Sequence, residues 1–279
     1  MEISCPLCGR LSRQAVLVEH GYRGVRCPRC ELIFISPRPS WREIQGLYSR
    51  RQAAPGATAG FVSPGKRLKA RHTYGLFRPY LAGGRVLELG PGAGFFLEAL
   101  RTMGFQVYGI ELNGRYADYL QKVRHIPCES RPLSAASFGG AVFDLIYHCN
   151  VLSHFYDPVA EFTLMRAKLR PGGLLVCETG NLGEVHPRYY SCYHTFRFPE
   201  HLFFFGEKSL RLLLGLTGWE VIGFHRYPLR HALRLERVWE GLKARVQGNK
   251  GGLEGGGGGR RRGFLSSGKS ACRIVVECL

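Results

Sequence analysis

Three groups of residues in this chain have the types and spacing to do chemistry. The first is four cysteines, Cys5, Cys8, Cys27 and Cys30, in the pattern C-x2-C-x18-C-x2-C. Two residues between thiolates let one tight turn aim both sulfurs at one ion, and two such pairs complete a tetrahedral zinc site. A site closed by four thiolates is structural, because a catalytic zinc keeps a position open. A redox pair, unrelated free thiols, or His20 as a substitute ligand are the competing readings. The second group is Gly90, Gly92 and Gly94 in "VLELGPGAGFF", with Glu88 two residues ahead. Glycines between a strand and a helix bring backbone N–H groups against a ligand. A dinucleotide fingerprint, G-x-G-x-x-G, needs a third glycine at position 95, where this chain has Phe95. Glu111, at the end of the next apolar run, can accept both hydroxyls of a ribose, although nucleotide sites of several kinds use an acid there. The third group is His154 in "NVLSHFYDP" and His201 in "FPEHLFFF". Histidine is the residue type best suited to remove a proton near neutral pH, and the alternative is a histidine that packs or caps a loop.

Each group needs elements to hold it. Between the cysteine pairs, "VLVEHGYRGVRC" predicts a hairpin with its turn at Gly21 or Gly24. Ser40 can cap a helix beginning at "WREIQGLY", and "RRQAAPGATAGFVSPG" reads as a linker. A helix is predicted from about Lys66 to Leu81. "RVLEL", "QVYGIEL", "FDLIYHC" and "LRPGGLLVCET" are short apolar runs suited to buried parallel strands, alternating with helical patterns. That alternation predicts an α/β fold: a Rossmann-like, mostly parallel sheet of seven strands with helices on both faces, preceded by a small four-cysteine module. "GWEVIGFHRY" and "CRIVVECL" read as strands six and seven, with a helix in "LRHALRLERVWEGLKARV" between them. The predicted divisions are residues 1–40, 41–65 and 66–279, with a Gly/Arg-rich insert at 248–269 that composition marks as flexible.

The formal net charge is +18, carried by 31 Arg and only 8 Lys. The arginines are spread along the chain, so we read a solvated basic surface rather than a nucleic-acid footprint. No apolar run is long enough to span a bilayer, and "MEISCPLCG" is unlike a leader peptide, so the expected compartment is the cytoplasm. Six further cysteines are scattered, several within apolar runs, where Cys serves as a small buried hydrophobe.

"VLELGPGAGFFLEAL", "VYGIEL", "FDLIYHCNVLSHFYDP" and "LRPGGLLVCETGN" together resemble, in order and spacing, the class I S-adenosylmethionine-dependent methyltransferases. The front module resembles the zinc ribbon that precedes some of them. The resemblance implies a seven-stranded sheet whose last strand is antiparallel. It implies that Gly90, Gly92 and Gly94 pass beneath the methionine part of S-adenosylmethionine and that Glu88 orients the loop and the amino group. Glu111 would hold the ribose, with Leu112 beside it, and Ser130 and Arg131 would border the adenine. Asn150 and His154 would lie near the transferable methyl. In the similar ubiquinone-biosynthesis O-methyltransferases two glutamates and a histidine bind a metal here; this chain has Asn150, Ser153 and His154, so a catalytic divalent metal is not expected.

The loop "EVHPRYYSCYHTFRFPEHLFFF" is rich in aromatic and titratable residues. We expect it to form the acceptor pocket, with His201 toward the methyl and the three phenylalanines in the core. The expected activity is methyl transfer to a small molecule such as a sugar, polyketide or other biosynthetic intermediate. The alternatives are a ribosomal or transfer RNA methyltransferase, supported by the charge, the ribbon and the Arg-rich insert, and a non-catalytic scaffold.

Overall fold

The structure is a computed structural model, and it describes residues 2–53, 64–225 and 273–278. The helix expected at 229–246, the Gly/Arg-rich insert and most of the linker lie outside the described residues.

The chain begins with a hairpin, β1 (Ala15–Glu19) and β2 (Tyr22–Arg26), followed by β3 (Ile33–Ile35). His20 and Gly21 form the turn, both with positive φ (51° and 80°). Two left-handed residues match the twist of a two-residue hairpin, which places the turn at Gly21 rather than Gly24. Helix α1 (Trp41–Ala53) opens with a reciprocal cap. The backbone N–H of Ser40 donates to the Glu43 carboxylate at 2.6 Å, and the N–H of Glu43 donates to the Ser40 hydroxyl at 3.3 Å. Helix α2 (Pro64–Phe77) leads to β4 (Arg85–Leu89), α3 (Phe95–Thr102), β5 (Gln106–Ile110), α4 (Gly114–Lys122) and β6 (Cys128–Glu129). Then come β7 (Phe143–Cys149), α5 (Pro158–Lys168), β8 (Leu169–Thr179), the two-residue β9 (Phe203–Phe204), α6 (Glu207–Leu216), β10 (Glu220–His225) and β11 (Arg273–Cys278).

Seven strands form one sheet in the order β10-β11-β8-β7-β4-β5-β6. Every neighbouring pair is parallel, β11 included, which runs parallel to both β10 and β8. This corrects the expectation of an antiparallel last strand. A parallel return needs a crossover of a dozen or more residues, and residues 226–272 supply that length between β10 and β11.

Alternation along the strands sends apolar side chains to both faces. Val86, Leu145, Tyr147, Leu174 and Val176 meet one cluster with Phe77 of α2, Phe96, Leu97 and Leu100 of α3, and Leu120 of α4. Leu87, Leu89, Ile146, Leu175 and Cys177 meet the other with Phe162 and Met165 of α5 and Leu210, Leu213 and Leu214 of α6. Helices therefore cover both faces, as a buried parallel sheet requires. Each fully buried Leu or Phe adds on the order of 1.5–3 kcal/mol relative to exposure.

The cysteine module is not a bead on a string. Leu32, Ile33, Phe34 and Ile35 belong to the same apolar cluster as α5 and α6. The strands β1, β2 and β3 form a second sheet, and β9 completes it, with Ile33 opposite Phe204 and Phe34 opposite Phe203. Among the described residues, no helix is long and apolar enough to cross a membrane.

Candidate active site

Strand order reverses between β4 and β7: the chain runs outward from β4 through β5 to β6, then returns to β7 on the other side. In open parallel sheets the ligand crevice lies beyond the carboxyl ends of the strands at such a reversal. The glycine loop leaves β4 there, and the segment Asn150–His154 leaves β7 beside it.

Gly90, Gly92 and Gly94 all have positive φ (70°, 54° and 77°), a region that L side chains rarely adopt. What a Cβ would meet separates them. At Gly90 it would approach Val151 Cγ2 at 2.9 Å, and at Gly94 it would collide with Leu120, whereas at Gly92 it would meet nothing within 4 Å. Gly90 and Gly94 are therefore small because protein packs on them, and Gly92 faces open space. Glu111 braces this loop: one carboxylate oxygen accepts from the Gly92 N–H at 2.9 Å and the other from the Asn113 N–H at 2.8 Å. Burial raises the Glu111 pKa despite those two bonds. Leu112, next to it, is exposed. Ser130 and Arg131 lie exposed at the end of β6, and Arg131 pairs with Glu129 at 3.2 Å.

Glu88 is buried, and its Oε2 has no hydrogen-bond partner. Its pKa is raised well above the usual carboxylate range, first by burial and then by the nearby charges of Glu178 and Glu111. Glu178, at the end of β8, is fully buried, yet its pKa is lowered: burial works against ionisation, but Lys69, Tyr147 and Thr73 outweigh it. Lys69 of α2 approaches Glu178 at 2.8 Å, and the hydroxyls of Tyr147 and Thr73 donate to Oε1 at 2.5 and 2.8 Å. Sequence reading missed this network. The signal was an acid inside the apolar run "LLVCET", since such a carboxylate stays charged only with partners.

A dinucleotide presents an anionic diphosphate to its glycine loop. Here Glu88, just before the loop, keeps a buried carboxyl oxygen with no partner among the described residues, an acceptor that suits a cationic ligand. S-adenosylmethionine carries an ammonium and a sulfonium, so the residues present fit it.

On the other side of the crevice, Asn150, Ser153, His154, Arg197 and His201 line a cavity of about 430 Å³. Asn150 has positive φ (56°), and its N–H donates to the Glu178 carbonyl at 2.9 Å. The rings of His154 and His201 lie edge to face with centroids 4.8 Å apart. The structure thus gathers Asn150, His154 and His201 at one cavity and Glu88, the glycines and Glu111 at the adjoining loop. The contact of Val151 with Gly90 joins the two. Phe203 and Phe205 are buried as expected, but Phe204 is only half-buried, and all three also line the cavity.

The methyltransferase domain family matches residues 66–223, more than half of the chain. The chain belongs to this family. It is 31% identical over 104 residues to the ubiquinone biosynthesis O-methyltransferase of Cereibacter sphaeroides, covering 36% of this chain and 42% of that protein. It is 32% identical over 105 residues to the tRNA U34 carboxymethyltransferase of Pseudoalteromonas translucida, covering 36% and 33%. The chain thus spans less than half the length of these relatives. Among solved structures, the PH0226 protein of Pyrococcus horikoshii is similar with a TM-score of 0.48 and 21% identity, over 60% of this chain and 88% of that one.

The chain carries a second polar centre in its cysteine module. The Sγ atoms of Cys5, Cys8, Cys27 and Cys30 all lie within 4.8 Å of one another. Cys5 and Cys30 are 3.5 Å apart, and Cys8 and Cys27 are 3.4 Å apart. Four thiolates at about 2.3 Å from a tetrahedral zinc would sit roughly 3.8 Å from each other, so the cluster fits the ion with small adjustments. The contact between Cys5 and Cys30 lowers the Cys5 pKa and, with burial, raises that of Cys30.

Proposed function

We propose that this member of the methyltransferase family transfers a methyl group from S-adenosylmethionine to a small molecule seated in the cavity that His154 and His201 line together. One observation carries the reading. A cavity of about 430 Å³ is lined by both histidines and by Asn150, whose neighbour Val151 lies against Gly90 of the glycine loop. That volume suits a small-molecule site. The ubiquinone-biosynthesis relative is consistent with an acceptor of that class.

S-adenosylmethionine supplies an electrophilic methyl on a sulfonium, whose leaving thioether is neutral. The chain's own work is alignment and proton removal. Glu88 is placed to accept from the ammonium through its unpartnered oxygen, and Gly92 leaves room for the methionine part. Glu111 holds the ribose, with Leu112, Ser130 and Arg131 toward the adenine and Asn150 near the methyl. His201 or His154 takes the acceptor's proton as transfer begins. The four cysteines hold a structural zinc.

Incubation with methyl-labelled S-adenosylmethionine and a panel of small hydroxylated and aminated acceptors should label at least one of them. Label entering only RNA would overturn this reading. The +18 charge and the tRNA-modifying relative favour that second reading. It predicts RNA retention that weakens steeply with salt.

A further inference from the structure

His201 owes its place to the cysteine module. Glu19 stands at the tip of β1, on the hairpin turn. Its carboxylate accepts the backbone N–H of Phe196 at 2.9 Å with one oxygen and that of Phe198 at 2.6 Å with the other. Burial alone would raise the Glu19 pKa, but these two donors, with Thr195, lower it, so the clamp is a carboxylate. Between the two clamped amides lies Arg197, which has positive φ (61°) although it carries a side chain. A non-glycine residue in that region persists only where its surroundings hold it. The Arg197 carbonyl then accepts the His201 N–H at 3.1 Å.

Downstream of His201 the module takes hold again. The N–H of Ile35 in β3 donates to the Leu202 carbonyl at 3.1 Å, and the Leu202 N–H donates to the Ser153 carbonyl at 2.8 Å, next to His154. β3 pairs with β9 directly after that. Phe198 also packs on β2, where a Cβ on Gly24 would approach its ring at 3.0 Å. His201 is therefore held by the module on both sides in sequence, and one of the two holds is a single ionised side chain.

We propose that Glu19 is a positioning residue for His201: by clamping the turn at Arg197 it sets the wall of the acceptor cavity from outside the methyltransferase sheet. The functional meaning rests on reading that cavity as the acceptor site; the mechanical claim does not. The test uses the full chain and the variants Glu19→Ala and Glu19→Gln. Amide-resolved hydrogen exchange follows Phe196, Phe198 and His201. Modification by diethyl pyrocarbonate, read residue by residue, compares His201 with exposed His125. Calorimetry with S-adenosylhomocysteine reports separately on the cofactor site.

Glu19→Ala should speed exchange at Phe196 and Phe198 by about tenfold or more, the loss expected for hydrogen bonds to a charged acceptor. It should change the modification rate of His201 and leave His125 and S-adenosylhomocysteine affinity as they were. Glu19→Gln keeps one acceptor oxygen and should restore protection at one amide of the two. Unchanged exchange at both amides, or unchanged His201 reactivity, overturns the proposal. So does an equal rise in exchange at the glycine loop, which would mean a general loss of stability. Should Glu19→Ala not fold, the single-amide pattern in Glu19→Gln decides. Failure of S-adenosylhomocysteine to bind the unaltered chain would count against the cofactor reading and not against the clamp.

Discussion

His154 and His201 face each other edge to face, ring centroids 4.8 Å apart with planes at 81°, although one follows β7 and the other precedes β9. Both line the same cavity, so either can reach a proton on a molecule bound there. If one is the base, its replacement by Ala should lower kcat by about 10²–10⁴, and the other replacement should have the smaller effect. Single-turnover rates with labelled cofactor measure this. S-adenosylhomocysteine affinity should hold in both variants, and equal wild-type rates in both would remove histidine base catalysis.

The three loop glycines should fail in different ways. Gly92→Arg places a side chain into open space and should abolish cofactor binding in a chain that still folds. Gly94→Ala forces a left-handed Ala against Leu120 and should cost about 1–3 kcal/mol of stability. Calorimetry for binding and thermal melts for stability separate the two. Loss of binding in Gly94→Ala without a lower Tm would refute the distinction.

Metal analysis should find about one zinc per chain, and Cys27→Ser should lose it. Because Leu32–Ile35 pack into the cluster shared with α5 and α6, the loss should reach the rest of the protein. Chelation should therefore lower the Tm of the main unfolding transition. A separate low-temperature transition, with the main one unmoved, would show instead that the module melts independently.

His148 should make the fold acid-labile. It is completely buried between Phe155 and Phe162, neither ring nitrogen has a hydrogen-bond partner, and burial lowers its pKa to about 4. In the unfolded chain a histidine titrates near about 6.5. Between those values the unfolded state binds the proton and the native state does not, so stability falls as pH drops from about 6.5 to about 4. The full loss is on the order of 3 kcal/mol. Denaturant melts across that range measure it, and His148→Phe should flatten the curve. An unchanged pH dependence in that variant would assign the acid lability to other groups.

The sequence alone determined the α/β class, the order of the strands along the chain, the zinc-type cysteine spacing and the loop bearing Gly92. These are local: strand length, apolar runs, turn residues and ligand spacing are written in consecutive residues. It did not determine that the last strand runs parallel, because nothing in "RIVVEC" encodes which way its neighbours point. It gave no reason to single out Lys69, whose partner Glu178 lies on a distant strand. It also treated the cysteine module as a preface. Only the tertiary structure brought β9 onto that module's sheet and the Glu19 carboxylate onto the turn at Arg197. Those bonds join backbone groups to residues far away in the chain. Backbone donors look alike in any sequence, and which acceptor they find is decided when the two sheets pack.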